Sequence, residues 1–211
     1  MRISKALNGM ARAWRRNGSG NGASGPAHVA LSAQETEDSR MMRRCIELSR
    51  IGTAQGELPF ACIIVRDGEV VAEATNRVSR DLDVTRHAEI IALSQAQKVL
   101  GRRRLKDCTL YSSVEPCAMC AFPIRETGIG RVAFAITSPA MGGLAKWNVL
   151  ADHDLSERMP QYFRRPPEVI AGLLAAEAEQ AWREWNPLIW AVIKRRGCLG
   201  GKAIRADLPL P

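Results

Sequence analysis

The sequence predicts an α/β protein in three α/β/α layers, with a mixed five-stranded sheet covered by helices on both faces. Three observations lead there. Short apolar runs bounded by turn residues alternate with longer segments of helical period. An Asp-Gly pair at Asp67 and Gly68 joins two of the apolar runs as a hairpin. The later runs are separated by helical segments, which favours parallel crossovers. With 211 residues and 46% hydrophobic content, the chain sustains one substantial core, and length alone argues against two full domains.

The elements follow in order. Met41, Cys45, Leu48 and Ile51 recur at helical spacing between Glu35 and about Ile51, so this segment is a first amphipathic helix. "FACIIV" (60–65) and "VVAEA" (70–74) are the two strands of the hairpin. "HAEIIALSQAQKVLG" (87–101) has apolar residues at 90, 91, 93, 96, 99 and 100 ahead of a glycine, the pattern of a helix with a C-terminal stop. "CTLYSSV" (108–114) is a third strand, "CAMCAFPIRETG" (117–128) a short helix and "RVAFAIT" (131–137) a fourth strand. Residues 138–167 read as irregular, with a helical turn around "LAKWNVL", and a connection of that length usually has a functional role. "EVIAG" (168–172) is a short fifth strand, and "LLAAEAEQAWREW" (173–185) is a helix of strong helix formers.

Charge divides the chain into three parts. Residues 1–34 carry five basic and no acidic side chains, and residues 194–211 carry five basic and one acidic, so the body at 35–193 is close to neutral although the whole chain is +8. That distribution argues against a large phosphate-binding face on the body and leaves such a role to the tails. "RRNGSGNGASGP" (15–26) holds too few bulky apolar groups to offset ordering entropy, so 1–34 is expected to be a disordered basic tail, and 194–211 a second basic tail. The arginine-rich, acid-free N-terminus also suits an organelle transit peptide; it lacks the apolar core of a secretory signal. No apolar run reaches membrane-span length, and a cytoplasmic protein is the expectation.

The six cysteines are spread unevenly, which fits reduced thiols in an intracellular chain. Cys45, Cys62 and Cys108 lie among apolar residues and are assigned to the core; Cys198 carries no assignment. Cys117 and Cys120, behind Pro116, form a C-x-x-C pair that by itself fits a redox disulfide, half a structural zinc site or half a catalytic one. A structural site needs a second pair of Cys or His at suitable spacing, and the chain has none. It does have His87 and Glu89 at the start of a predicted helix, with 26 residues between Glu89 and Pro116. A His, Cys, Cys set leaves a metal one open position for water, and an unligated Glu beside it can carry a proton.

The H-x-E and P-C-x-x-C pattern is the one associated with zinc-dependent nucleobase deaminases. From about Glu35 to Trp185 the chain resembles the cytidine deaminase superfamily, and particularly its bacterial tRNA adenosine deaminase and guanine deaminase branches, through "ELPFACIIVRDGEVVAEATNR", "HAEIIAL" and "CTLYSSVEPCAMC". The resemblance implies the cytidine deaminase type of sheet in a zinc-dependent deaminase domain at 35–193. It also implies one zinc ion per chain on His87, Cys117 and Cys120, Glu89 as proton shuttle, and a homodimer. It further implies that Asn76 hydrogen-bonds the base and that the backbone N–H of Ala88, with that of Cys117, holds substrate or the attacking oxygen. Trp147 and Asn148, in the loop after the fourth strand, are expected to line the pocket. Glu115 is read as fixing the ligand turn, and Asp152 and His153 as solvated loop residues.

The departures from the resemblance bear on substrate. Ala121, Phe122 and Pro123 stand where the tRNA adenosine deaminases carry small residues, Thr85 and Arg86 differ from the residues usual before the histidine, and "AITSPAMGG" lacks the acidic group that often reads guanine. The expected reaction is hydrolytic deamination of a small nucleobase or nucleoside, with a purine-like ring favoured. The alternatives are a tRNA anticodon adenosine deaminase, with "GRRRLK" (101–106), Arg164, Arg165 and "KRR" (194–196) as phosphate contacts, and a noncatalytic binding protein that keeps zinc for stability.

Overall fold

The computed structural model describes residues 26–201, with side chains from Glu37 onward. Five strands form one sheet in the order β2-β1-β3-β4-β5. The hairpin β1 (Ala61–Arg66) and β2 (Glu69–Thr75) pairs antiparallel through a bulge at Ile64 and Val65, and Asp67 and Gly68 both take positive φ at its turn. β1 pairs antiparallel with β3 (Cys108–Val114), which pairs parallel with β4 (Arg131–Ile136), itself parallel to β5 (Glu168–Ala171). The mixed sheet expected from the sequence is therefore present, antiparallel at the hairpin and parallel beyond it.

Helices cover both faces. One core cluster packs α3 (Ala88–Leu100) and α4 (Ala118–Thr127) on the sheet through Ile91, Leu93, Ile124, Leu110 and Phe134. The other packs α1 (Pro26–Ala54), α6 (Ala175–Trp185) and α7 (Pro187–Arg195) through Met42, Ile46, Ile63, Trp182 and Trp190. Cys45, Cys62 and Cys108 are buried, as assigned. Two short helices, α2 (Val78–Asp81) and α5 (His153–Arg158), lie in connections.

The boundaries of the body differ from those expected. Helix α1 starts at Pro26, so residues 26–34 are helical; proline suits a first helical turn, and "AHVALSAQ" behind it is not glycine-rich like the stretch that suggested disorder. Residues 1–25 and 202–211 lie outside the described residues. At the other end, the expected tail at 194 begins inside α7, and Leu199 is buried in the core. The chain beyond α7 is tied down by the N–H of Gly200 on the Thr137 carbonyl (2.9 Å) and by Ser138 Oγ on the Cys198 carbonyl (3.3 Å). Among the described residues no helix is long and apolar enough to cross a membrane.

Candidate active site

The two ligand groups sit at the starts of two adjacent helices. His87 is the N-cap of α3 and Cys117 the N-cap of α4, both in extended backbone, and Cys120 lies in the first turn of α4. Helix N-termini present free N–H groups and a positive dipole end, which stabilise thiolate and other anions. Gly101 and Gly128, both in left-handed conformation, end the two helices as the sequence suggested.

His87 Nδ1 is 3.6 Å from Cys117 Sγ and 3.4 Å from Cys120 Sγ, and the two sulfurs are 3.7 Å apart. Zinc bonds of about 2.3 Å to sulfur and about 2.05 Å to nitrogen, at tetrahedral angles, give ligand edges of about 3.8 Å and about 3.6 Å. The three donors thus span one face of a tetrahedron of zinc size, and their chemistry, one imidazole and two thiols, suits that metal. Glu89 points to the same place without joining the triangle: Cys120 Sγ donates to Glu89 Oε2 at 3.5 Å and Ser112 Oγ to Oε1 at 3.4 Å.

Electrostatics follow from the crowding. The contact with Cys120 and then the His87 ring stabilise the Cys117 thiolate and bring its pKa down to about 4, against the opposing effect of burial. Cys120 is pushed strongly up by the same contact and by burial. The hydrogen bond with Cys117 raises His87, with burial pulling the other way. Burial raises the Glu89 carboxyl. A cation held by these donors takes the place of thiol protons and reverses the local balance.

The ligand turn is braced from the loop after β4. Glu115, buried, accepts from the backbone N–H groups of Ser138 (2.7 Å), Leu144 (2.9 Å) and Ala145 (2.7 Å). The N–H of Gly143 bonds the Pro116 carbonyl at 2.7 Å, and Cys117 bridges to Gly142. A side chain at either glycine would collide, at Gly142 with the Glu115 carboxylate and at Gly143 with Ala121. This gives physical content to the expectation that Glu115 fixes the turn, and explains why "MGG" reads as irregular.

A cavity of about 470 Å³ opens onto Cys117, His87 and Glu89. It lies past the C-terminal ends of β3 and β4, where α/β sheets commonly take ligands. Asn76, 6% exposed, lines it, and its Nδ2 donates to Glu57 Oε2 at 2.8 Å. The remaining wall is largely apolar: Phe60, Val114, Met141, Trp182, Ile193 and Leu199. Of the expected contacts, Ala88 is buried directly behind His87 at the start of α3 and is not part of the cavity wall.

Contrary to expectation, Trp147 and Asn148 do not line the cavity. Both are exposed, Trp147 by 59%, and Asn148 takes a left-handed conformation at φ 51°; Met141 from the same loop lines the cavity instead. Nor does the bulk at Phe122 and Pro123 reach the pocket. Phe122 packs edge-on against Phe163 with ring centroids 4.8 Å apart, on the far side of α4 from the ligands. Thr85 and Arg86 are held by Asp83 and Asp81 respectively. Asp152 caps α5 and His153 is exposed, away from the donor cluster.

Sequence reasoning did not single out Glu57, Met141, Ile193, Cys198 or Leu199 for the site. For the last three a signal existed, since Asn186 followed by Pro187 marks a helix start that carries the chain back toward the sheet. Glu57 and Met141 carried no local signal.

Comparison with known proteins agrees with this geometry. Residues 35–136 match the family described as the cytidine and deoxycytidylate deaminase zinc-binding region. The tRNA-specific adenosine deaminase of Aquifex aeolicus is 35% identical over 123 residues, covering 57% of this chain and 80% of that protein. The tRNA(Ile)-lysidine synthase of Deinococcus radiodurans is 31% identical over 174 residues, which is 81% of this chain but only 27% of that longer protein. A solved tRNA:A34 deaminase superposes with a TM-score of 0.61 at 28% identity, covering 68% of this chain and 99% of that one. The guanine deaminase of Nitrosomonas europaea gives 0.59 at 28% identity, covering 71% and 84%.

Proposed function

The chain belongs to the cytidine deaminase family and is a hydrolytic deaminase, and from that premise we propose that it removes the exocyclic amine of a purine-like nucleobase or nucleoside. The observation that carries this reading is the donor triangle of His87, Cys117 and Cys120 beside buried Glu89 and Asn76, at the end of an apolar cavity. His87, Cys117 and Cys120 would hold one zinc ion per chain. When bound, zinc lowers the pKa of water from 15.7 toward about 7, so that a nucleophile is available at neutral pH.

The chain's own residues supply the rest. Asn76 hydrogen-bonds the ring edge, and the flat base packs between Phe60, Val114, Met141 and Leu199. Glu89 takes a proton from the attacking water, passes it to a ring nitrogen, and then moves a proton to the departing amine, which leaves as ammonia while the carbon becomes a carbonyl. The N–H of Cys117, at the start of α4 on the cavity wall, holds the developing oxygen charge. A small substrate is favoured because Cys198 and Leu199, strapped to Thr137 and Ser138, close one side of the cavity.

The second reading is deamination of adenosine in a tRNA anticodon. The Aquifex relative and the tRNA:A34 deaminase structure support it, as do the basic residues at 101–106, 164, 165 and 194–196. A homodimer and a cytoplasmic location go with either reading; half-exposed Met119 and Phe122 on α4 offer apolar surface for a second copy. Ammonia release by the zinc-loaded chain from guanine, adenine, cytosine, their nucleosides and an anticodon stem-loop separates the readings. Turnover of a free purine or its nucleoside is expected. Turnover of the stem-loop alone would replace the first reading with the second.

A further inference from the structure

Glu57 stands on the chain between α1 and β1 and is 2% exposed, yet no cation is paired with it among the described residues. Three N–H donors converge on its carboxylate instead. Arg80 N donates to Oε1 at 2.7 Å, and Asn76 Nδ2 and Ser79 N donate to Oε2 at 2.8 Å and 3.4 Å. Two of these belong to α2, a four-residue helix whose own N-cap, Arg77, makes no side-chain cap bond. A single carboxylate therefore satisfies the open N-terminus of α2 and one hydrogen of the Asn76 amide.

That arrangement fixes which way the amide faces. Both Glu57 oxygens act as acceptors, so Asn76 must present its NH₂ to Glu57; the flipped amide would set oxygen against oxygen. No described residue donates to Asn76 Oδ1, and Asn76 lies on the cavity wall with His87 and Glu89. The backbone is held as well, by Asn76 N on the Phe60 carbonyl at 3.0 Å. With its nitrogen pinned, Asn76 offers an acceptor to a ligand.

We propose that Glu57 is a positioning residue for substrate: its carboxylate orients the Asn76 amide so that Oδ1 accepts a hydrogen bond from an N–H on the edge of the base. The inference rests on the deaminase reading of the cavity. It selects substrates whose edge carries an N–H donor at that point, and it gives Glu57 a role in binding while leaving the proton transfers to Glu89.

Two measurements on the full-length, zinc-loaded chain test it. In the wild type, the two side-chain amide protons of Asn76 should be well separated in a nitrogen-correlated NMR spectrum, with one shifted downfield by the carboxylate. Glu57→Gln, which removes the charge and sets an NH₂ in place of one of the two acceptor oxygens, should reduce that shift while the dispersed backbone spectrum shows the fold retained. In kinetics with guanine and with the anticodon stem-loop as probes, Glu57→Gln should raise KM by about 10-fold on whichever is turned over. Its kcat should stay within about 3-fold and its zinc content unchanged, as expected for lost ground-state and transition-state binding alike. Adding Glu57→Gln to Asn76→Ala should produce no further rise in KM.

A wild-type Asn76 amide without the downfield proton overturns the proposal, whether or not the variant folds. So does a Glu57→Gln enzyme with unchanged KM, or one whose effect multiplies with that of Asn76→Ala. If the wild type releases ammonia from no substrate while the amide signature is present, the deaminase reading falls and the Glu57 to Asn76 orientation stands.

Discussion

At the scale of single residues, the site separates groups that hold the metal from groups that act beside it. Glu89 touches Cys120 but lies outside the donor triangle. Glu89→Gln should therefore keep one zinc per chain by metal analysis and lose about 10²- to 10⁴-fold in turnover, the usual worth of a positioned proton carrier. Wild-type turnover in that variant would remove Glu89 from the mechanism. Gly142 tests the opposite kind of role. A methyl group there would displace the Glu115 carboxylate from its three backbone N–H partners and push on the turn that carries Cys117. Gly142→Ala should weaken zinc affinity by about 10- to 100-fold in a chelator competition, the range typical of groups that orient metal ligands.

At the scale of elements, the sheet is tied to α1 by a polar contact that crosses the core. Asp38 accepts from the two terminal Arg131 nitrogens, at 2.8 and 2.6 Å, and from the Tyr111 hydroxyl at 2.6 Å, joining α1 to β3 and β4. Burial alone would raise the Asp38 pKa, but the Arg131 and Tyr111 hydrogen bonds outweigh it and hold the carboxyl below its ordinary value of 3.8. A depressed folded pKa stabilises the fold above pH 3.8, and the contribution is lost as pH falls through the folded value. Asp38→Asn should then cost about 3 kcal/mol in denaturant unfolding at pH 7, where it leaves Arg131 with only the more distant, exposed Glu168 carboxylate. The gap to wild type should narrow as pH falls below 3.8 and close once it has passed the lower folded value, where the wild-type carboxyl is protonated in both states.

The same elements show what a sequence can disclose. Strands, α3 and α4 were legible because period, turn residues and end glycines are written locally: Gly101 and Gly128 stop the ligand helices where the pattern ends. The donor set was legible because its spacing is chemical. The cavity wall was not. Whether Trp147 or Met141 faces inward depends on a turn at Asn148 and on how Glu115 gathers the loop, which are tertiary contacts. Helix α2 depends on Glu57, 21 residues before its first residue, for the capping that its own N-cap lacks.

At the scale of the whole molecule, charge and pocket point in different directions. The body at 35–193 is close to neutral while the termini carry the excess of +9. Many body cations are also matched across elements: Arg43 with Glu177, Arg44 with Glu73, Arg50 with Glu184 and Arg131 with Asp38. The cavity wall is mostly apolar, with its polar groups collected at the metal end. A neutral purine entering such a cavity displaces few counterions, so kcat/KM for the base should change by less than about 2-fold between 50 and 500 mM salt. Binding of an anticodon stem-loop obeys a different law. Each phosphate neutralised contributes a slope of about −0.7 to −0.9 in log affinity against log salt, so four contacts weaken binding by roughly three decades for a tenfold rise in salt. Rates measured across that range should therefore be flat for guanine or guanosine, while retention of the stem-loop in an anisotropy titration falls steeply. A turnover that falls with the same steep slope as stem-loop binding would mean that the basic termini, and not the apolar cavity alone, deliver the substrate.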